Sequence, residues 1–190
     1  MQLSRDAITT AALEILTEYG LADVSMRRVA TALGVAPGAL YWHIENKQEL
    51  IASLATEIVR PLTQRADSTA PTSTRDMATT LRDLVLGVRD GAEVVLAALS
   101  QPDAPIREQL TTVFLRQVRA EWDDGASISM LHAAAVNLVY MTLGAATVYQ
   151  AGAQLAAATG EVPAVSANDA AREHAEGVTL LLDGLHAHKN

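Results

Sequence analysis

The chain has no cysteine. That excludes a disulfide framework, a thiolate zinc finger and a cysteine nucleophile, and it fits a reducing compartment. Aromatic residues make up only 4% of the 190 residues, so any ligand cavity must be walled mainly by aliphatic side chains and methionine. Eleven glycines and six prolines are too few for a collagenous or low-complexity chain. Residues Met1 to Asp6 carry no apolar signal core, and no secreted precursor is expected. No uncharged apolar run looks long enough to span a bilayer. The nearest, Ile128 to Ala158, is interrupted by His132, Asn137, Gln150 and Gln154. Enzyme signatures are missing too. There is no Gly-x-Gly-x-x-Gly, no phosphate-binding loop, and no Glu followed three residues later by His as a bundle metalloenzyme would need. The expectation is a cytoplasmic protein that is not an enzyme, holds no metal or cofactor, and has no membrane partner.

What is present is helical periodicity. With 49% hydrophobic and 19% charged residues the chain can build a sizeable core. Ile8, Ala11, Ala12, Ile15, Leu16 and Tyr19 mark one face of a helix between Ser4 as cap and Gly20 as stop. A second unit runs from the Ser25 cap through Met26, Val29, Ala30 and Leu33 to Gly34. A third starts at Pro37 and is expected to reach about His43. Asn46-Lys47-Gln48-Glu49 has the form of a capping box and opens a longer helix. Arg65 to Asp76 reads as a polar hinge. Further helices are expected around Met77–Val88, Gly91–Leu99 and Ile106–Val118, the last ending at Asp124-Gly125, and then over 128–158 and 168–187. No strand alternation appears, so the expected fold class is all-α.

Net charge is −8, which at first argues against nucleic acid. The charge is uneven. Residues 1–65 hold six Lys+Arg against seven Asp+Glu, whereas residues 66–190 hold eight against fifteen. DNA binding needs a local basic face rather than a basic total, so charge alone excludes neither case.

Met26 to Lys47 carries the most information. Ala30 stands four residues before Gly34, and Leu40 stands six after it. A small residue lets two helices cross closely, a glycine takes the left-handed turn, and a leucine plugs the angle between them. This is helix-turn-helix spacing, with the second helix directed at a major groove. The same spacing also fits an ordinary helical hairpin in a bundle. Ala36 leaves the second helix without a side-chain cap, a cost of about 1 kcal/mol.

The surrounding residues extend the pattern. Leu13-Glu14-Ile15-Leu16, Tyr19-Gly20, Arg27-Arg28-Val29-Ala30, Leu33-Gly34-Val35 and Leu40-Tyr41-Trp42-His43-Ile44-Glu45-Asn46-Lys47 together resemble the N-terminal domain of TetR-family transcriptional regulators. Tyr-Trp-His, and Arg89-Asp90-Gly91-Ala92-Glu93-Val94 further on, resemble the tetracycline-repressor branch. The resemblance implies a homodimeric, ligand-responsive repressor that binds double-stranded DNA at a palindromic operator. It implies a DNA-binding three-helix domain at 1–46, a connecting helix at 47–65 and a ligand-binding and dimerisation domain at 66–190. An activator of the same fold, or a helical ligand-binding or interaction module without operator binding, stays open as an alternative.

The resemblance also assigns residues. Tyr41 and Lys47 stand where the family contacts phosphate. Trp42 and His43 can reach phosphate or base edge, and Arg27 can fork onto a guanine. Pro37, Gly38 and Ala39 lead the reading helix, where Ala39 can touch a thymine methyl. Each also has a plain reading, as hairpin core or solvated surface; for Arg28 the solvated one is preferred. An effector pocket is implied among the C-terminal helices, with Leu81, Val85, Val95, Leu99, Phe114, Val118, Met130, Leu138 and Met141 as walls and His132 and Asn137 as polar groups. All could instead be plain core. Val95 and Leu99 stand where the tetracycline-binding branch holds polar, metal-linked side chains, so the expected effector is a small, mostly apolar molecule bound without metal. Ala171, Ala175, Val178, Leu182 and Leu185 form a heptad-like seam expected to pair two protomers. His186 and His188 read as tail.

Overall fold

The computed structural model describes residues 3–66, 73–102, 104–122 and 126–187. Among them the chain forms helices, turns and loops and no strand. Helix α1 spans Arg5–Tyr19, and a 3₁₀ turn follows at Leu21–Asp23. Then come α2, Met26–Leu33, α3, Pro37–Leu40, and α4, Lys47–Ala66. The remainder is α5, Thr74–Leu86, α6, Gly91–Leu99, α7, Pro105–Trp122, α8, Ile128–Thr159, and α9, Ala167–Ala187.

The helix starts follow local chemistry. Ser4 accepts the Ala7 N–H at 3.1 Å, and Ser25 accepts the Arg28 N–H at 3.2 Å. Asn46 Oδ1 accepts the Glu49 N–H at 2.9 Å, but Glu49 reaches back to the Glu45 N–H at 2.5 Å rather than to Asn46. The full reciprocal box forms instead at α5, between Ser73 and Asp76. The reading helix is shorter than expected. The N–H groups of His43 and Ile44 both turn to the Leu40 carbonyl, and the ladder stops there. Of the expected hinge, residues 67–72 lie outside the described residues, as do Asp124-Gly125 and His188.

Buried apolar side chains form one continuous cluster from Ile8 to Leu185. Helix α1 packs on α2 and α4, α2 packs on α3, and α4 in turn packs on α5, α6 and α7. Helix α8 touches α5, α6, α7 and α9. It also corrects one expectation. By length and composition α8 is apolar enough to cross a membrane, because His, Asn and Gln singly lower the hydropathy of so alanine-rich a helix very little. Its contacts on four helices give that apolarity a place inside the fold.

The α9 seam needs a second correction. Val178, Leu182 and Leu185 are buried within this chain, Ala171 is half-buried and Ala175 is exposed. A heptad stripe asks for a neighbouring helix, and α8 and α5 of the same chain supply it. Leu180, on the opposite face, is 75% exposed.

One polar contact is sealed into that packing. His174 on α9, 5% exposed, shares a hydrogen bond of 3.0 Å between its Nε2 and Thr142 Oγ1 on α8. Burial, and then the positive charge of Arg82, hold the imidazole below its ordinary value of 6.5, with Asp83 acting in the opposite direction. The unfolded chain therefore binds this proton more readily than the folded one. Stability is full above pH of about 6.5 and falls as the pH drops through that value toward the lower folded one. We expect the melting temperature to fall by a few degrees between about pH 7.5 and 5.5, and His174→Gln to remove most of that fall. Thermal melts read by circular dichroism check it. An equal fall in both proteins contradicts the assignment.

Candidate nucleic-acid interface

The turn between α2 and α3 is built as the sequence predicts. Gly34 sits at φ 68° and ψ 28°, in the left-handed region. The Val35 N–H returns to the Ala30 carbonyl at 3.0 Å and the Gly34 N–H to Thr31 at 3.1 Å. Ala30 and Leu40 are both fully buried. Ala36 precedes α3 with no side-chain cap, and Pro37 opens the helix. The frame of the hairpin is thus buried and hydrogen-bonded, and its functional side chains are left on the outside.

Those side chains share the outer surface of the hairpin and the start of α4. Trp42 is 89% exposed and Tyr41 52%. An indole left so bare in a chain with two tryptophans is surface awaiting contact rather than core. Pro37 and Gly38 are exposed, and Ala39 and His43 are half-buried. Lys47 is exposed at the first position of α4, where the helix N-terminus adds its own partial positive charge. Beside it, Glu49 is tied to Arg5 in an ion pair. The Glu45 N–H and then Arg5 hold the Glu49 carboxyl below the usual carboxylate range. This acid in the first turn of α4 is therefore already engaged.

The two arginines of α2 differ. Arg28 is bound to Asp23 in an ion pair, and its guanidinium lies 4.1 Å from the centroid of the Tyr19 ring. It is held within the head rather than merely solvated. Arg27 is exposed. Arg27, Tyr41, Trp42 and Lys47 thus present a guanidinium, a phenol, an indole and an ammonium outward.

The expected effector walls fare differently. Leu81, Val85, Val95, Leu99, Phe114, Val118 and Leu138 are buried in the continuous core. Met130 is half-buried, and His132 and Asn137 lie on the exposed side of α8. The Asn137 amide spends itself on the Ala133 carbonyl at 2.8 Å. The expected walls are thus divided between the buried core and the outer side of α8. Apolar core and apolar pocket use the same residue types, and here they close on one another.

An apolar cleft of about 440 Å³ opens elsewhere, between the C-terminal half of α8, the 160–166 loop and the start of α9. Met141 is the one expected wall residue that lines it; Gly144, Ala145 and Gly152 create the space, and His174 lies at its side. The signal for it was the run of small residues on α8. Among the described residues no group of three acidic or histidine side chains could hold a metal.

Sequence reading also missed the polar junction around Asp90. Its carboxylate accepts the Leu21 N–H at 2.7 Å and the Gln154 amide at 2.6 Å. Gln150 donates to the Val85 and Val88 carbonyls and accepts the Ala92 N–H. Two glutamines four apart in an apolar helix were the available signal.

Comparison with known proteins agrees with the geometry. Residues 8–54 match the family of bacterial regulatory proteins described as the tetR family. The class C tetracycline repressor of Escherichia coli is 33% identical over 84% of this chain and 72% of its own. The crystal structure of BioQ from Mycobacterium smegmatis is 36% identical, with a TM-score of 0.83 over 98% of this chain and 99% of that one. BioQ solved with its natural double-stranded DNA operator is 34% identical, with a TM-score of 0.78 over 98% and 100% of the two chains. A helix-turn-helix with Ala30 and Leu40 buried, an outward set of cationic and aromatic side chains and this likeness over nearly the whole chain lead to one conclusion: the chain belongs to the tetR family of bacterial regulatory proteins.

Proposed function

We propose that this chain is a ligand-responsive transcriptional repressor that binds a palindromic double-stranded operator as a homodimer. The observation that carries the reading is the exposed set Arg27, Tyr41, Trp42 and Lys47 on a helix-turn-helix frame whose Ala30 and Leu40 are fully buried. The operator-bound relative and the tetracycline-repressor relative support it. Residues 1–46 act as the reading head, 47–65 as the connecting helix and 66–190 as the effector and pairing domain. Tyr41 and Lys47 hold phosphates, Trp42 and His43 reach phosphate or base edge, Arg27 reads a guanine, and Pro37, Gly38 and Ala39 bring the backbone of α3 close to the groove.

Lys47→Ala is expected to weaken binding alike on all sequences and to lower the salt slope by about one unit. Arg27→Ala is expected to cost about 1–3 kcal/mol at one base pair per half-site and to leave other positions unaffected. Fluorescence titrations of labelled genomic duplexes at several salt concentrations check both. Wild-type affinity and slope for Lys47→Ala contradict the phosphate role.

Pairing falls to the outer faces of α8 and α9. Tyr140, Val148 and Leu155 on α8 and Leu180 on α9 are large apolar side chains left open in the single chain. The inward seam cannot serve, because its leucines already have partners. Leu180→Glu should yield a folded monomer, and Leu182→Glu should lose the fold through a buried, unpaired charge. Light scattering with circular dichroism separates the two. A folded dimer from Leu180→Glu contradicts this pairing face.

The effector is a small, mostly apolar molecule held without a divalent metal. The cleft between α8, the 160–166 loop and α9 is its proposed site, because it combines an apolar lining with His174. Magnesium–tetracycline is not expected to raise the melting temperature, since Val95 and Leu99 are closed core. A second reading is favoured by Val148, 75% exposed at the rim of the cleft: the paired protomer fills it. A fluorescent apolar probe that binds the Leu180→Glu monomer and not the wild-type dimer favours that second reading. Binding to both favours the effector.

A further inference from the structure

We propose that Asp90 is a positioning residue for DNA binding: its carboxylate fastens the end of α1 to the C-terminal half of α8 and thereby fixes where the reading head stands. The inference rests on the operator-binding homodimer proposed above.

The backbone gives the first observation. Among the described residues Asp90 is the one non-glycine at positive φ, with φ 56° and ψ 17°. A residue with a side chain adopts that conformation at a cost and keeps it where surrounding contacts enforce it. Its position at the start of α6 suggests a helix cap, the ordinary use of an aspartate there. Yet its side chain makes no capping bond.

The carboxylate turns away from its own helix instead. Oδ2 accepts the Leu21 N–H at 2.7 Å, across 69 residues of sequence. Oδ1 accepts Gln154 Nε2 at 2.6 Å, across 64. Leu21 opens the 3₁₀ turn that ends α1, so one oxygen holds the head and the other holds α8. The neighbours reinforce the arrangement. Arg89 donates to the Glu18 carbonyl at 3.2 Å, at the same end of α1. Gln150 clamps the turn between α5 and α6 to α8 by bonds to Val88 at 2.8 Å and to Val85 and Ala92 at 3.2 Å.

The two glycines at the junction have no substitute. A Cβ on Gly91 would stand 2.4 Å from the Val85 carbonyl oxygen, and a Cβ on Gly20 would stand 2.8 Å from Asp90 Oδ2. Gly20 also sits at φ 91°. The segment Arg89-Asp90-Gly91 is thus explained by the junction it makes. At the other end of α6, Gln101 donates to the Gln48 carbonyl at 3.0 Å, at the start of α4. The head is pinned at one end of α6 and the start of α4 at the other, and Asp90 is the pin that also reaches α8.

The chain has no cysteine, so Glu14→Cys on the exposed side of α1 accepts one spin label per protomer. Pulsed electron–electron distance measurement on the homodimer without DNA then reads the separation of the heads. Asp90→Asn preserves size and tolerates the left-handed backbone, but it offers one acceptor oxygen where two are used. The junction predicts a wider distance distribution for Asp90→Asn and for Gln154→Ala, and no further widening in the double variant. A wild-type width for Asp90→Asn overturns the proposal. Should that variant fail to fold, a wild-type width for Gln154→Ala, at an exposed position, overturns it equally. The second readout uses a palindromic duplex bound by the wild type and the same duplex with one base pair inserted at its dyad. Asp90→Asn should reduce the preference for the uninserted duplex by about five-fold, the equivalent of one lost hydrogen bond. Equal weakening on both duplexes overturns the positioning role. Because the distance is read without DNA, widened heads that bind no duplex support the junction and refute the DNA-binding reading.

Discussion

Two heads of the proposed dimer read a palindrome only if their separation is held, and within each chain the position of the head rests on apolar packing that runs from Ile8 to Leu185. Helix α4 leaves the head and joins α5, α6 and α7 without a gap in the buried cluster. Helix α8 carries the same cluster to α9. A displacement anywhere along this path reaches the head through tightly packed side chains rather than through a loose linker. The polar contacts sit at its joints. Asp90 and Gln101 mark the two ends of α6, and Thr142–His174 ties α8 to α9.

The head does its work with little charge. Its basic and acidic residues nearly cancel, and several are committed to each other. Arg5 holds Glu49, and Arg28 holds Asp23 while lying over Tyr19. Of the cations, Arg27 and Lys47 remain outward, with the aromatic surface of Tyr41 and Trp42. The acidic C-terminal two thirds disfavours nucleic acid, which agrees with the proposed contact on this one surface. Long polar side chains are scarce on α3, which leaves sequence preference to a few contacts and to the spacing of the two heads.

Much of this was legible because it depends on local chemistry. Gly34 had to be left-handed, Ala30 had to be small and Leu40 had to be buried, and each requirement is met within a dozen residues of chain. Capping by Ser4 and Ser25 is local in the same way. The seam on α9 was visible as a stripe, but a stripe does not say which helix will cover it. Intrachain α8 and α5 took Val178, Leu182 and Leu185, and the surface left for a partner carries Leu180. The effector walls were illegible for a related reason. Leu81, Val85 and Phe114 have the composition of a pocket and of a solid core alike. The actual cleft arises where Gly144, Ala145 and Gly152 leave volume empty, so it is written in small residues rather than in apolar ones. Asp90 was hidden because its partners lie more than sixty residues away in both directions.

The most direct measurement is selection of bound duplexes from a random DNA library by the wild-type protein, followed by sequencing. The account predicts a single enriched palindrome whose half-site centres lie about one helical turn apart, lost when Arg27, Tyr41 and Lys47 are replaced together. Enrichment of no sequence, or of an unpaired half-site alone, would contradict it.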